Sequence, residues 1–281
     1  MGALLERIAA SSTPFVWLDD AAYSARLLAA PSTVWLDAAA LTAFRRKAAS
    51  LLPSDVTVVP IGTVMEAAVK ADEELLAEMR AKKRVIAPLR TLLGDAKARS
   101  LAIDAAKALC GTLSSKPLVA SIPSPRRWIK EAYAWAHGPS EADVGPEEVD
   151  SAAVYVAEFL RGLGTVGVNA LLLEERIGDE PTSAGEIAWY QPVINVCKHY
   201  RWDIGLKLAD GGEFHGEAVD MAFIIASRPP MGTVPGVATP ASFWADAMPP
   251  AVPAGGFRFA QIPADANPEY VLQRLNALRG D

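Results

Sequence analysis

The residues best equipped for chemistry sit at the ends of short apolar runs. The run 168–173 ends in Glu174 and Glu175, and the run 204–208 is followed by Asp210. A carboxylate there can act as a general base or hold a hard cation. Successive strand residues alternate sides, so only one of Glu174 and Glu175 can face a pocket at that end. The other is left to solvent or to an ion pair with Arg176. Lys207 interrupts the otherwise apolar segment IGLKL. A lysine inside a protein needs a partner or a lowered pKa, so Lys207 binds a carboxylate, acts as an acid, or reaches out to solvent. Asp210 precedes two glycines and also suits a turn. His215 carries the side chain most used in acid/base catalysis at neutral pH, although a lone loop histidine is more often mere surface.

Arg126 and Arg127 follow a proline turn, where a guanidinium fork can grip a carboxylate or phosphate; simple exposure is the alternative. Asp19 and Asp20 close the run 14–18. Such a pair can bind Mg²⁺, give one acid a raised pKa, or cap the helix that follows. Cys197 and His199 look like a metal pair, but residues two apart on a helix do not share a face. His137 and His199 suit helix C-termini. Trp17, Trp128, Trp135, Tyr133, Trp189 and Tyr190 read mainly as core, with one or two able to line an apolar pocket.

The elements that must position these groups alternate. Strands are expected at 14–18, 56–62, 117–125, 168–173, 204–208, 218–227 and 256–263, with a short extended PGVATP segment within 228–253. Helices are expected at 1–12, 38–52, 65–82, 89–110, 125–137, 147–163, 184–200 and 268–278. Strands with charge only at their carboxyl ends fit a parallel sheet covered on both faces, whose ligands bind at that end. The reading is a single α/β domain over residues 1–281, a (β/α)₈ TIM barrel, which commonly takes about 250 residues. The alternative is a doubly wound open sheet, made less attractive by the lack of a GxGxxG or phosphate-binding loop after an early strand.

With a net charge of −6 and a pI near 5.2, the composition argues against non-specific nucleic-acid binding. Two cysteines, Cys110 and Cys197, build no disulfide framework, which fits a reducing cytoplasm. The N-terminal residues have no signal-peptide pattern, and no run reaches the roughly 18 apolar residues of a membrane span, so no membrane association is expected.

The order of pieces resembles the uroporphyrinogen decarboxylase-like superfamily, TIM barrels that include tetrapyrrole decarboxylases and methyltransferases acting on corrinoid-bound methyl groups. The likeness is carried by PFVWLDDAAYSARLL, KPLVASIPSPRRWIKEAYAWAHG, GVNALLLEE with WYQPVINVCKH, and FRFAQIPADANPEYVLQRLNAL. It implies that Tyr133 matches a substrate-contacting tyrosine. The departures are specific. Where the decarboxylases carry arginines, this chain has Asp19 and Asp20, with Arg26 further on; the stretch VVPIGTVME lacks the family aspartate. Where the methyltransferases hold zinc through His-x-Cys, it has Lys207, Ala209 and Asp210, a poor zinc set.

The expectation is therefore a divergent member acting on a small or medium-sized carboxylated molecule by acid/base chemistry, as a decarboxylase or related lyase, with no organic cofactor. The catalytic candidates are Glu174, Glu175, Lys207 and His215. Arg126, Arg127, Tyr133, Asp19, Asp20 and Asp210 would contact substrate. One alternative is methyl transfer with a corrinoid partner and a metal on Glu174, Asp210 and His215. Another is a non-catalytic ligand-binding or partner subunit. Apolar helix faces can serve a homodimer as easily as the core.

Overall fold

The computed structural model describes residues 2–139, 142–176, 182–210, 212–217 and 220–280. The first half runs α1 (Ala3–Ala9), β1 (Val16–Asp19), α2 (Ala21–Leu27), α3 (Ala38–Leu51), β2 (Thr57–Pro60), α4 (Ile61–Ala71), α5 (Glu73–Arg80), α6 (Ala87–Gly94) and α7 (Ala96–Thr112). It continues with β3 (Leu118–Pro123), α8 (Pro125–His137), α9 (Pro146–Arg161), β4 (Ala170–Glu174), α10 (Ala184–Ile187), α11 (Gln191–Tyr200) and β5 (Asp203–Lys207). The chain closes with β6 (Phe223–Ala226), β7 (Val234–Ala238), β8 (Phe257–Gln261) and α12 (Pro268–Arg279).

All eight strands form one parallel, curled sheet. Its order is β2 to β8 in sequence, and β8 then pairs with β1. Among the described residues β1 and β2 form no ladder. There the N–H groups of Val16 and Leu18 donate instead to Asp55 Oδ2 (2.8 Å) and Ser54 Oγ (3.0 Å). The Asp55 N–H returns a bond to the Val16 carbonyl (2.8 Å). Arg279 of the last helix grips both oxygens of Asp55 at 3.0 and 3.1 Å.

The alternation is incomplete. Among the described residues no helix separates β5 from β6 or β6 from β7, and β7 is followed only by a 3₁₀ turn (Ala241–Trp244). The segment expected as a strand at 218–227 is regular only from Phe223; its residues 218 and 219 lie outside the described residues. Residues 32–36 form a 3₁₀ turn. The helices expected at 65–82 and 89–110 are each divided. Asp72 turns extended and accepts the N–H groups of Glu74 and Leu75, and Asp95 accepts that of Ala98. An aspartate able to cap a new helix wins over continuing the old one.

Strand alternation sorts the sheet's side chains into two cores. The inner face carries Trp17, Val119, Ala170, Leu172, Phe223, Ile225, Phe257 and Phe259, sealed at the amino-terminal end by Leu4, Leu5 and Ile8 of α1. Asp203, the first residue of β5, fastens that seal by accepting the N–H groups of Gly2 (2.8 Å) and Leu5 (3.1 Å). The outer face packs under α3 to α9 and α11 across β2–β6, and under α2 and α12 across β1 and β8. Trp17, Phe223 and Phe257 interlock at ring separations of 5.8–5.9 Å. Burial of each contributes about 1.5–3 kcal/mol. Their bulk fits because Gly205 and Gly236 stand beside them: a Cβ on Gly205 would lie 2.1 Å from the Phe223 ring, and one on Gly236 2.6 Å from that of Phe257.

Candidate active site

The inner face turns polar at the carboxyl ends of its strands. In register order, Asp19 stands beside Gln261, Pro60 beside Ser121, Pro123 beside Glu174, and Glu174 beside Lys207. Above this ring lies a cavity of about 410 Å³, lined by the ends of β1–β4 and β8 and by residues of α2, α4 and α8. That volume suits a small organic molecule.

Asp19 is the group most altered by its surroundings. Burial, followed by the negative charge of Glu174, pushes its carboxyl up to about 6, with Asp20 adding to the effect. Lys207 and the Ala21 N–H oppose the shift without cancelling it. Asp20, also on the cavity wall, is held by Arg45 of α3 through two bonds of 2.9 and 3.0 Å. The neighbouring aspartates therefore differ: Asp20 is paired with an arginine, while Asp19 has no such partner and carries a carboxyl raised to about 6. Asp20 is the N-cap residue of α2, but its side chain makes no capping bond.

Glu174 and Glu175 divide as strand geometry requires. Glu174 lines the cavity and accepts a short hydrogen bond from the Ser121 hydroxyl. Glu175 is buried on the other side, where it accepts the Thr182 N–H at 2.9 Å. Ser121 is itself buried, the single hydroxyl within β3. Lys207 lies half-buried next to Glu174 in the sheet, with its Nζ 5.4 Å from the centre of the Phe259 ring. This is the reach of a cation–π contact.

Cations border the cavity on its α8 side. Arg127 donates to Glu131 Oε1 (2.7 Å) and to the Glu174 carbonyl (3.2 Å), and its Nη1 lies 3.8 Å from Glu174 Oε2. Arg176 reaches the same Glu131 oxygen at 2.9 Å. α8 begins with a Ser-Pro step: Ser124 caps the helix by accepting the Arg127 N–H, and Pro125 opens it, which places Arg127 in the first turn beside the strand ends.

The remaining candidates stand elsewhere. Arg126 does not line this cavity. It holds both oxygens of the buried Glu186 at 3.0 and 2.8 Å and donates to the Val144 carbonyl at 3.2 Å. The Tyr190 hydroxyl donates to the same Glu186 (2.7 Å), and burial with that nearby charge raises its pKa well above the usual tyrosine value. Tyr133 is half-buried against the His137 ring, 4.5 Å between centres. Asp210 and His215 are exposed and outside the cavity wall; the His215 carbonyl accepts the Ala184 N–H at 3.0 Å. Cys197 is buried on the outer face, and burial pushes its thiol up to about 12. Among the described residues no three His, Cys, Asp or Glu side chains gather as a metal set, and no helix is long and apolar enough to cross a membrane.

Sequence reading passed over Ser121, Arg45, Glu131 and Gln261. Ser121 had a usable signal, being the one polar residue in a buried apolar run. Arg45 had none, because its partner Asp20 lies on a different element. No protein-family model matches the chain, and no curated protein matches it.

Proposed function

We propose that this chain is an enzyme of the uroporphyrinogen decarboxylase-like type, a (β/α)₈ barrel closed along the β1–β2 seam. It carries out acid/base chemistry at carbon on a small or medium-sized carboxylated substrate. The observation that carries this reading is the Asp19 carboxyl, raised to about 6 inside a cavity at the carboxyl end of a parallel sheet. A general acid is most effective with its pKa near the working pH, and ligands of parallel α/β proteins bind at that end of the sheet.

Each side chain then has one task. Arg127, on the cavity wall, draws in the substrate carboxylate. Lys207 offsets negative charge as it develops on the reacting carbon. In a decarboxylation the bond from that carbon to the carboxylate breaks, the electron pair stays on carbon and CO₂ leaves. The Asp19 proton then goes to the carbon, and water returns a proton to Asp19. In a related lyase step Glu174 takes the substrate proton first.

A panel of small mono- and dicarboxylates, followed by thermal shift and by CO₂ release, tests this. Binding of at least one acid should raise the melting temperature, and Arg127→Gln should remove the shift. Asp19→Asn should retain binding and lose turnover. If no acid binds, or if Arg127→Gln binds as the wild type does, the reading fails.

A further inference from the structure

The class of acid that fits the cavity follows from its two unlike walls, and naming it rests on the reading of the cavity as a carboxylate site. The wall that follows β3 is cationic. There Arg127 donates through Nε to Glu131 and through Nη1 to the Glu174 carbonyl, while its Nη2 has no partner among the described residues. The wall that follows β1 is apolar. α2 presents Ala21, Ala22 and Ala25 to the cavity, close together at helical spacing. The 3₁₀ turn after it presents the half-buried Trp35, whose ring is fixed by Phe44 at 5.8 Å between centres and 83° between planes. The charges on this side cancel, because Arg45 holds Asp20 through both Nη atoms. Trp17 and Phe259, both buried on the inner face, give the cavity an aromatic floor.

We propose that the cavity takes an aromatic carboxylic acid, its carboxylate held by Arg127 and its ring lying between Trp35 and the alanine face of α2. The open Nη2 of Arg127 supplies donors in the geometry that a carboxylate accepts. A short aliphatic acid has the carboxylate but leaves most of the space to water: the cavity holds about 410 Å³, within the range of about 300–1,000 Å³ that encloses larger organic ligands. An indole favours an aromatic partner over an aliphatic one of equal bulk, because ring quadrupoles attract in stacked or edge-on arrangements. The methyl side chains of α2 admit a ring where longer side chains would fill its place. The far end of the ligand is uncharged, since the one guanidinium on that side is already engaged by Asp20. Ala22, Ala25 and Trp35 are then the residues that set specificity, while Arg127 sets the charge.

The test is ligand-observed NMR titration of the full chain with phenylacetate, acetate and cyclohexylacetate, the last having the bulk of phenylacetate without its π-face. Phenylacetate should bind at least about tenfold more tightly than acetate, and about two- to tenfold more tightly than cyclohexylacetate. Ala22→Leu places a longer side chain at an exposed position on the cavity wall, where the fold accommodates it. It should weaken phenylacetate about tenfold and leave acetate unchanged. Trp35→Leu should erase the margin over cyclohexylacetate, and Arg127→Gln should weaken all three acids. Phenylacetate that binds no more tightly than acetate, or that Ala22→Leu does not weaken, overturns the inference, while acids that still depend on Arg127 keep the carboxylate reading. Equal binding of phenylacetate and cyclohexylacetate overturns the aromatic assignment. Binding of none of the three overturns the inference and the carboxylate reading together.

Discussion

At the scale of single residues, Asp19 links function to stability. Its carboxyl is raised from 3.8 to about 6 in the folded chain, chiefly by burial. A raised acid favours folding while protonated in both states, below the unfolded value, and that contribution is lost as pH rises through the folded value. Ionised Asp19 therefore costs on the order of 2–3 kcal/mol above about pH 6. Asp19→Asn should gain that amount in urea denaturation at pH 7.5 and should match the wild type at pH 3.5. A gain that does not vary with pH would remove the link. The Arg126–Glu186 pair makes the opposite argument. Both side chains are largely buried, at 12% and 5% exposure, and Glu186 also receives the Tyr190 hydroxyl. Arg126→Met should cost about 3–5 kcal/mol, because it strands a buried carboxylate. It should leave carboxylate binding in the refolded fraction intact, since Arg126 lies outside the cavity wall. A loss of binding without a loss of stability would instead return Arg126 to the substrate.

At the scale of elements, the inner face depends on glycine where two aromatic rings must turn inward. Gly205 pairs with Phe223 across β5 and β6, and a Cβ there would overlap the ring at 2.1 Å. Gly205→Ala should therefore destabilise by about 1–3 kcal/mol, the usual cost of overpacking. Gly205→Ala combined with Phe223→Leu should recover part of that loss in the same denaturation experiment. Periodicity alone could have suggested neither the clash nor its relief. What could be read was the strand–helix rhythm: α8 begins and ends where its proline and glycine predict, and the apolar runs at 168–173 and 204–208 are strands, over Ala170–Glu174 and Asp203–Lys207. Local patterns carry that information because one face of each element is apolar. The divisions at Asp72 and Asp95 were misread because the apolar spacing continues across them, whereas the caps depend on backbone geometry. The separate fates of Asp19 and Asp20 were illegible for another reason: Arg45 and Glu174 approach them from 25 residues away and from across the sheet.

At the scale of the whole molecule, the eight strands are held at their one unladdered edge by side chains. Val16 and Leu18 would otherwise carry orphaned N–H groups, and an unpaired buried donor costs about 1–3 kcal/mol. Asp55 meets Val16 on one side and Arg279 on the other, so it ties β1, the approach to β2 and the final helix into one contact. The Arg279 guanidinium also donates to the Pro53 carbonyl at 2.9 Å. Cutting this tie should be felt along the seam before it is felt in the sheet as a whole. Asp55→Ala should lower stability by about 2–3 kcal/mol. In native-state hydrogen exchange it should accelerate the Val16 and Leu18 amides while those of β4 and β5 stay protected. Arg279→Ala, which leaves the Asp55–Val16 bond in position, should do the same more weakly. Because Asp19 ends β1 three residues after Val16, loosening at this edge should also carry the Asp19 titration back toward its ordinary range. A seam variant that exchanges faster at Val16 while Asp19 keeps its raised midpoint would mean that the cavity floor is held by the inner aromatic core, independently of the seam.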